Sequence, residues 1–85
     1  MSQATSHRSD ELRLAQDFCR LRRRIQREHP KPFGPNGFNR QFNLQVEAWL
    51  EAERLTWEQY YSIASIGSEL EALPPGHRYS PWNGE

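Results

Sequence analysis

Five proline and glycine residues lie within the eight positions from Pro30 to Gly37, and this cluster constrains the fold more than any other part of the sequence. Proline lacks a backbone N–H and its ring collides with the preceding helical turn, so a segment this rich in proline and glycine cannot continue a helix. We therefore predict a linker over residues 30–38. It divides the chain into one segment that precedes the linker and a longer one that follows it.

Both segments favour helices over strands. Only six of the 85 residues are β-branched, and no stretch alternates polar with apolar residues for long, whereas strands show both features. A chain of this length makes one small domain with a limited core. We predict a single all-α domain over residues 1–85, with three helices, a Pro/Gly-rich linker after the first helix and an irregular C-terminal tail.

The first helix is predicted over residues 10–29 and is basic and amphipathic, after a flexible N-terminus of residues 1–9. Ser9 is a suitable N-cap, Asp10 favours the positive end of the helix dipole, and Pro30 stops the helix. Apolar side chains recur along one face at spacings of four, three and four residues. This seam must pack against another helix. It consists of Leu14, Phe18, Leu21 and Ile25.

Residues 39–73 are predicted to form an acidic helical hairpin. Within this segment, Thr56 is followed three residues later by Gln59, a spacing that is typical of a capping box at the start of a helix. We therefore expect the second helix of the hairpin to begin at this pair.

The C-terminal tail, residues 74–85, contains Gly, Pro, Ser and Asn and shows no periodicity. The prolines at its start stop the third helix, and we expect the tail to be irregular. Tyr79 and Trp82 are its candidate docking points.

The charged side chains are divided unequally between the two halves of the chain. Residues 1–40 hold nine Arg or Lys and four Asp or Glu, a net charge of +5, whereas residues 41–85 hold two and seven, a net charge of −5. The overall charge of zero therefore hides two oppositely charged halves. Such halves attract each other within one chain or between two chains, so a homo-oligomer is one open alternative.

An arginine-rich face, the Arg face, is predicted on the first helix. At about 100° per residue, its guanidinium groups fall within a sector of about 60°, away from the apolar seam. Guanidinium groups bind carboxylates and phosphates through paired hydrogen bonds, so an acidic protein or a nucleic acid would fit this face. The simpler alternatives are a solvated face or a local partner for the Glu-rich half. The face consists of Arg13, Arg20, Arg23, Arg24 and Arg27.

The second and third helices carry apolar side chains on more than one side, although internal packing requires only one side of each. The surplus either lies beneath the first helix or binds another molecule, and we expect both uses, since Trp and Tyr are enriched at the energetic centres of interfaces. The predicted partner-binding residues are Trp49, Trp57, Tyr60 and Tyr61 as apolar anchors, and Arg20, Arg23, Arg24 and Arg27 as an electrostatic guide.

The sequence contains no recognisable catalytic or metal-binding pattern. His7, His29 and His77 lack metal-ligand spacing, and no Ser, His and acid arrangement is readable. Cys19 is the only cysteine, so no internal disulfide forms, and a packed thiol is favoured over a nucleophile. We expect no enzymatic activity, cofactor or metal. The cytoplasm is the expected location and no membrane partner is expected, because no apolar run reaches the about 20 residues of a membrane span.

An aromatic-rich pattern runs through residues 33–66. It consists of Phe33, Gln41, Phe42 and Leu44, followed by Leu55, Thr56, Trp57, Glu58, Gln59 and Tyr60. This pattern resembles the helical segment of nitrile hydratase β subunits and of their small accessory proteins. The resemblance implies a non-catalytic helper or subunit lobe that binds a metal-bearing partner, because in that family the cysteine cluster that holds the metal belongs to the other subunit.

Together these features predict a non-enzymatic protein-binding module: an accessory subunit, regulator or inhibitor that docks on a larger protein complex with an acidic patch. An inhibitor encoded by a mobile element would share these properties, so it stays open beside a native helper. The alternative is a nucleic-acid-binding protein that uses the Arg face, which would show steep salt dependence. It ranks second because an isoelectric point of about 6.8 lacks the usual basic footprint.

Overall fold

The computed structural model describes the backbone of residues 3–84 and the side chains of residues 10–84. In chain order the helices are α1 (Gln3–Glu28), α2 (Phe38–Glu53) and α3 (Trp57–Glu71). The described residues contain no strand, which confirms a small all-α domain with three helices. Over this part of the chain, none of the helices combines the length and apolar character needed to cross a lipid bilayer.

α1 begins earlier than the sequence predicted. Its backbone is helical from Gln3, so Ser9 lies inside the helix and not at an N-cap. Residues 3–9 contain neither proline nor glycine, and nothing in them interrupts helical hydrogen bonding. The predicted flexible N-terminus is therefore helical over these residues, and its first two residues lie outside the described part. The helix ends at Glu28, two residues before Pro30, as the proline requires.

The linker closes on itself before α2 begins. The Gly37 N–H donates to the Gly34 carbonyl at 3.0 Å, and the Phe38 N–H donates to the Lys31 carbonyl at 2.7 Å. Gly34 has a φ of +99°, a conformation that glycine adopts readily. A Cβ at Gly37 would overlap the backbone of Phe33, so only glycine fits at this N-cap.

The turn between α2 and α3 contains the predicted capping box, together with a left-handed residue that the sequence analysis did not predict. Arg54 is left-handed at the end of α2, with φ 58° and ψ 46°, and the Leu55 N–H returns to the Leu50 carbonyl at 2.8 Å. The Gln59 N–H donates to Thr56 Oγ1 at 3.1 Å, and the Thr56 N–H donates to Gln59 Oε1 at 2.8 Å. This reciprocal pair confirms the predicted capping box.

α1 is the central helix of the bundle. Ser62 Oγ donates to Glu11 Oε2 at 3.2 Å, and Arg22 Nη1 lies 3.1 Å from Glu71 Oε2, so α1 and α3 run parallel. α1 packs most extensively on α3 and less on α2, while α2 and α3 make only slight contact with each other. Within residues 39–73, α2 and α3 therefore each pack more on α1 than on each other.

The core lies where the three helices meet around Phe18. This ring is 6 % exposed and reaches side chains of both α2 and α3. The predicted seam of α1 is confirmed as the packing face, with Leu21 half-buried at its edge. The buried core cluster consists of Leu14, Ala15, Phe18, Val46, Leu50, Ile63 and Leu70.

Candidate protein-binding surface

Three aromatic side chains form a cluster in the first two turns of α3, named here the aromatic cluster: Trp57, Tyr60 and Tyr61. The Tyr60 ring lies 5.5 Å from the ring of Trp57 and 5.5 Å from that of Tyr61, each edge to face. Trp57 is 50 % exposed and Tyr61 is 67 % exposed. The capping box fixes the backbone of this turn, so the two exposed rings project from a rigid element.

Two of the four predicted aromatic anchors instead belong mainly to the core. The ring of Phe18 lies 5.6 Å from Tyr60, edge to face, and 6.0 Å from Trp49. Both side chains are half-buried. The structure therefore separates the anchors into an inner pair, Trp49 and Tyr60, and an outer pair, Trp57 and Tyr61.

Burial also affects the protonation of Tyr60. The pKa of the Tyr60 phenol is raised, first by burial and then by the neighbouring Tyr61, against a lowering effect of Arg22. This shift favours the neutral phenol over the phenolate.

A second apolar stripe, on α2, faces solvent. Leu44 is 49 % exposed, and Ala48 and Ala52 are exposed on the same side. The opposite side of α2 packs inward through Val46 and Leu50. α2 therefore has one apolar side in the core and another at the surface, in line with the expectation that this helix is apolar on more than one side.

A cleft of about 460 Å³ opens where the end of α2 and the start of α3 meet residues 10–14 of α1. We call it the carboxylate cleft, because apolar side chains form its floor and acidic side chains dominate its rim. The floor contains Leu14, Leu55 and Ile63, and the rim carries Asp10, Glu11, Glu53 and Glu58 with Arg13 and Arg54.

Two members of the Arg face hold the C-terminal tail. Arg20 Nε donates to the Pro81 carbonyl at 2.8 Å, and the guanidinium of Arg23 lies 4.4 Å from the ring centre of Trp82. The remaining members, Arg13, Arg24 and Arg27, are exposed, and Arg13 pairs with Asp17 at 3.3 Å. The face is therefore partly an internal binding surface.

The tail has no regular helix but packs closely on the bundle. Ser80 and Pro81 are buried, and Trp82 Nε1 donates to the Glu71 carbonyl at 3.2 Å. Gln16 Nε2 donates to the Tyr79 carbonyl at 3.1 Å. Tyr79 and Trp82 were predicted as docking points, but the sequence did not indicate that the tail would dock on α1. The sequence signal for this contact was an indole in the tail together with a row of arginines on the first helix, since arginine side chains stack on aromatic rings.

Cys19 is a packing residue at the crossing of α1 and α3. It is 5 % exposed, and its Sγ donates to the Gly67 carbonyl at 3.2 Å. Burial, reinforced by Glu71, raises the pKa of the thiol to about 11, although Arg22 and Arg20 act in the opposite direction. The thiolate is therefore scarce at neutral pH, which makes this side chain a poor nucleophile.

Among the side chains of residues 10–84, no three His, Cys, Asp or Glu are grouped so that they could hold a metal ion. Among the described residues, the exposed pair Trp57 and Tyr61 and the carboxylate cleft are two separate candidate binding features. Comparisons of the chain with protein-family models, with curated protein sequences and with solved structures give no match.

Proposed function

We propose that this chain is a non-enzymatic protein-binding module, acting as an accessory subunit, regulator or inhibitor that docks on a larger protein. The observation that carries the proposal is the exposure of Trp57 and Tyr61, at 50 % and 67 %, on the rigid first turns of α3. Large aromatic side chains are favoured at the centres of interfaces because they bury much apolar area and lose little conformational entropy.

The aromatic cluster is preorganised for such contact. Tyr60 packs against Phe18 and also against both exposed rings. It therefore links Trp57 and Tyr61 to the core. A partner that covers these rings would pay little ordering cost, since the backbone is already fixed by the capping box.

The Arg face has a smaller part in this proposal than the sequence suggested. Arg20 and Arg23 are engaged by the tail, so they contribute less to a partner or to a nucleic-acid backbone. At about 100° per residue, Arg24 and Arg27 lie on the side of α1 that faces away from Phe18. Their role in this proposal is to attract an acidic partner over a distance. A protein partner is therefore favoured over nucleic acid.

The test is affinity purification of the tagged chain from the organism that encodes it, followed by mass spectrometry. The double variant Trp57→Ala and Tyr61→Ala should lose the specific partner, while Tyr79→Ala, which removes an exposed ring of the tail, should retain it. Circular dichroism checks that each variant is helical. A partner that binds the double variant as well as the unchanged chain refutes the proposal. The resemblance to nitrile hydratase β subunits makes a metal-bearing enzyme subunit the first partner to look for.

A further inference from the structure

A second cleft, which the proposed function does not use, opens between α1, α3 and the C-terminal tail, and we call it the tail pocket. Its volume is about 410 Å³, within the range of about 300–1,000 Å³ that is usual for small-molecule sites. An apolar cavity of about 150 Å³ takes up benzene, so the tail pocket has room for two fused rings. It lies among Arg22, Arg23 and Gln26 of α1, Glu71 of α3, and Pro75 and Trp82 of the tail.

Flat apolar groups form part of the lining of the tail pocket. Trp82 is half-buried, and its Nε1 donates to the Glu71 carbonyl at 3.2 Å, which fixes the position of the indole. Phe18 and Pro75 also line the pocket, and Gly67 lines it without a side chain. These surfaces suit a planar apolar body.

Two guanidinium groups lie at the same pocket. Arg22 Nη1 is 3.1 Å from Glu71 Oε2, and this single contact leaves the other N–H groups of Arg22 for a second acceptor. The guanidinium of Arg23 lies 4.4 Å from the ring centre of Trp82, a contact that leaves its N–H groups for hydrogen bonds. A carboxylate is the acceptor that matches the geometry of a guanidinium group.

The charge of the lining selects the charge of the ligand. Arg22 and Arg23 carry two positive charges and Glu71 one negative charge, so the lining has a net charge of +1. A monoanion balances this charge, whereas a dianion exceeds it and is repelled by Glu71.

We infer that the tail pocket binds a small aromatic monocarboxylate, with its carboxylate held by Arg22 and Arg23 and its ring system packed on Trp82. The site contains neither Trp57 nor Tyr61. The inference therefore goes beyond the proposed function, and the failure of one leaves the other standing.

Titration of the full ¹⁵N-labelled chain with 2-naphthoate, followed by NMR, tests the inference. Shifts should concentrate on the amides of residues 22–26 and 67–71 and on the Trp82 indole N–H, with a dissociation constant on the order of 1 mM for so small a probe. The neutral analogue 2-naphthamide has nearly the same shape and should bind about tenfold more weakly, because it lacks the charge that the arginines bind. Inorganic phosphate, which lacks the apolar body, should also bind at least about tenfold more weakly.

Three variants identify the groups that hold the carboxylate. Arg22→Gln should raise the dissociation constant of 2-naphthoate about tenfold, because it removes a charged donor. Glu71→Gln should lower the constant about threefold, since it frees Arg22 and removes a repelling charge. Arg24→Gln is the matched control: it removes an exposed arginine of α1 that does not line the pocket and should leave the constant unchanged.

Binding should also hold the tail in place. A ligand that requires the docked tail lowers the undocked population about tenfold at about ten times its dissociation constant. Hydrogen exchange of residues 77–83 should slow accordingly, and unchanged exchange would overturn the contact with Trp82.

Four results would overturn the inference as a whole. They are an absence of shifts at about ten times the expected dissociation constant, shifts that map elsewhere, 2-naphthamide that binds as tightly as 2-naphthoate, and an equal effect of Arg24→Gln and Arg22→Gln. The comparison of 2-naphthoate with 2-naphthamide uses the unchanged chain, so it decides the question even when a variant fails to fold.

Discussion

Replacing Phe18 should reveal how much of the fold depends on a single ring. The side chain is 6 % exposed and contacts the rings of Phe42, Trp49 and Tyr60, with centroids 5.6 to 6.0 Å away. Phe-to-Ala changes in a core cost about 3–5 kcal/mol. A chain of 85 residues has a free energy of unfolding of about 4–13 kcal/mol at ordinary stability per residue. Phe18→Ala should therefore remove a large part of the stability.

The variant Phe18→Leu separates the contribution of the ring contacts to stability from the contribution of side-chain volume. Leucine fills much of the same space, while each ring pair contributes about 0.5–1.5 kcal/mol beyond the buried area. Three ring pairs are lost, and with each taken near the lower end of this range the expected cost is about 2 kcal/mol. This variant stays measurable even when Phe18→Ala is unfolded without denaturant.

Urea unfolding followed by far-ultraviolet circular dichroism measures both variants. With a slope of about 1 kcal/mol per molar urea for so small a domain, Phe18→Leu should lower the midpoint by about 2 M. Leu44→Ala is the matched control: its side chain is 49 % exposed, and surface changes stay within about 0.5 kcal/mol. A Phe18→Ala midpoint within about 0.5 M of the unchanged chain would refute the role assigned to this ring.

Three further outcomes are expected. Trp82→Ala should cost about 1–2 kcal/mol through the lost indole hydrogen bond and the Arg23 contact, and should speed hydrogen exchange of residues 77–83; unchanged exchange would contradict the docked tail. Thr56→Ala should cost about 1 kcal/mol in urea unfolding, because it removes the capping box, whereas an unchanged midpoint would mean that packing alone fixes the start of α3. Because the pKa of the Cys19 thiol rises from 9.0 to about 11 on folding, its contribution to stability is present below pH 9.0 and is lost as the pH rises through about 11. Unfolding at several pH values should show this decline, and Cys19→Ala should reduce it; an equal decline in both chains would assign it to other groups.

The local features of the fold could be predicted because they depend on interactions between residues close together in the chain. The proline and glycine cluster places the linker, and Thr56 with Gln59 places the start of α3 through two hydrogen bonds three residues apart. The start of α1 was predicted at the wrong residue. Ser9 and Asp10 look like a helix start, but cap residues are tolerated inside a helix when no proline or glycine precedes them.

The candidate site was only partly predictable. Trp49, Trp57, Tyr60 and Tyr61 are equivalent in the sequence as large apolar residues on two-sided helices. Their packing on Phe18 distinguishes them: Trp49 and Tyr60 contact this buried ring, whereas Trp57 and Tyr61 are exposed. That choice depends on how α2 and α3 are oriented around α1, and a helical period does not contain this information.

The sequence by itself determined three helices, their linker and the apolar seam of α1, because propensity, capping and periodicity act over a few residues. Only the tertiary structure decided that α2 and α3 both pack on α1, that the tail binds Arg20 and Arg23, and that a carboxylate cleft forms where the three helices meet. These arrangements join residues from 24 positions apart, as in the pair Phe18 and Phe42, to 61 positions apart, as in the pair Arg20 and Pro81. They depend on the balance of packing and desolvation across the whole domain, which no single segment encodes.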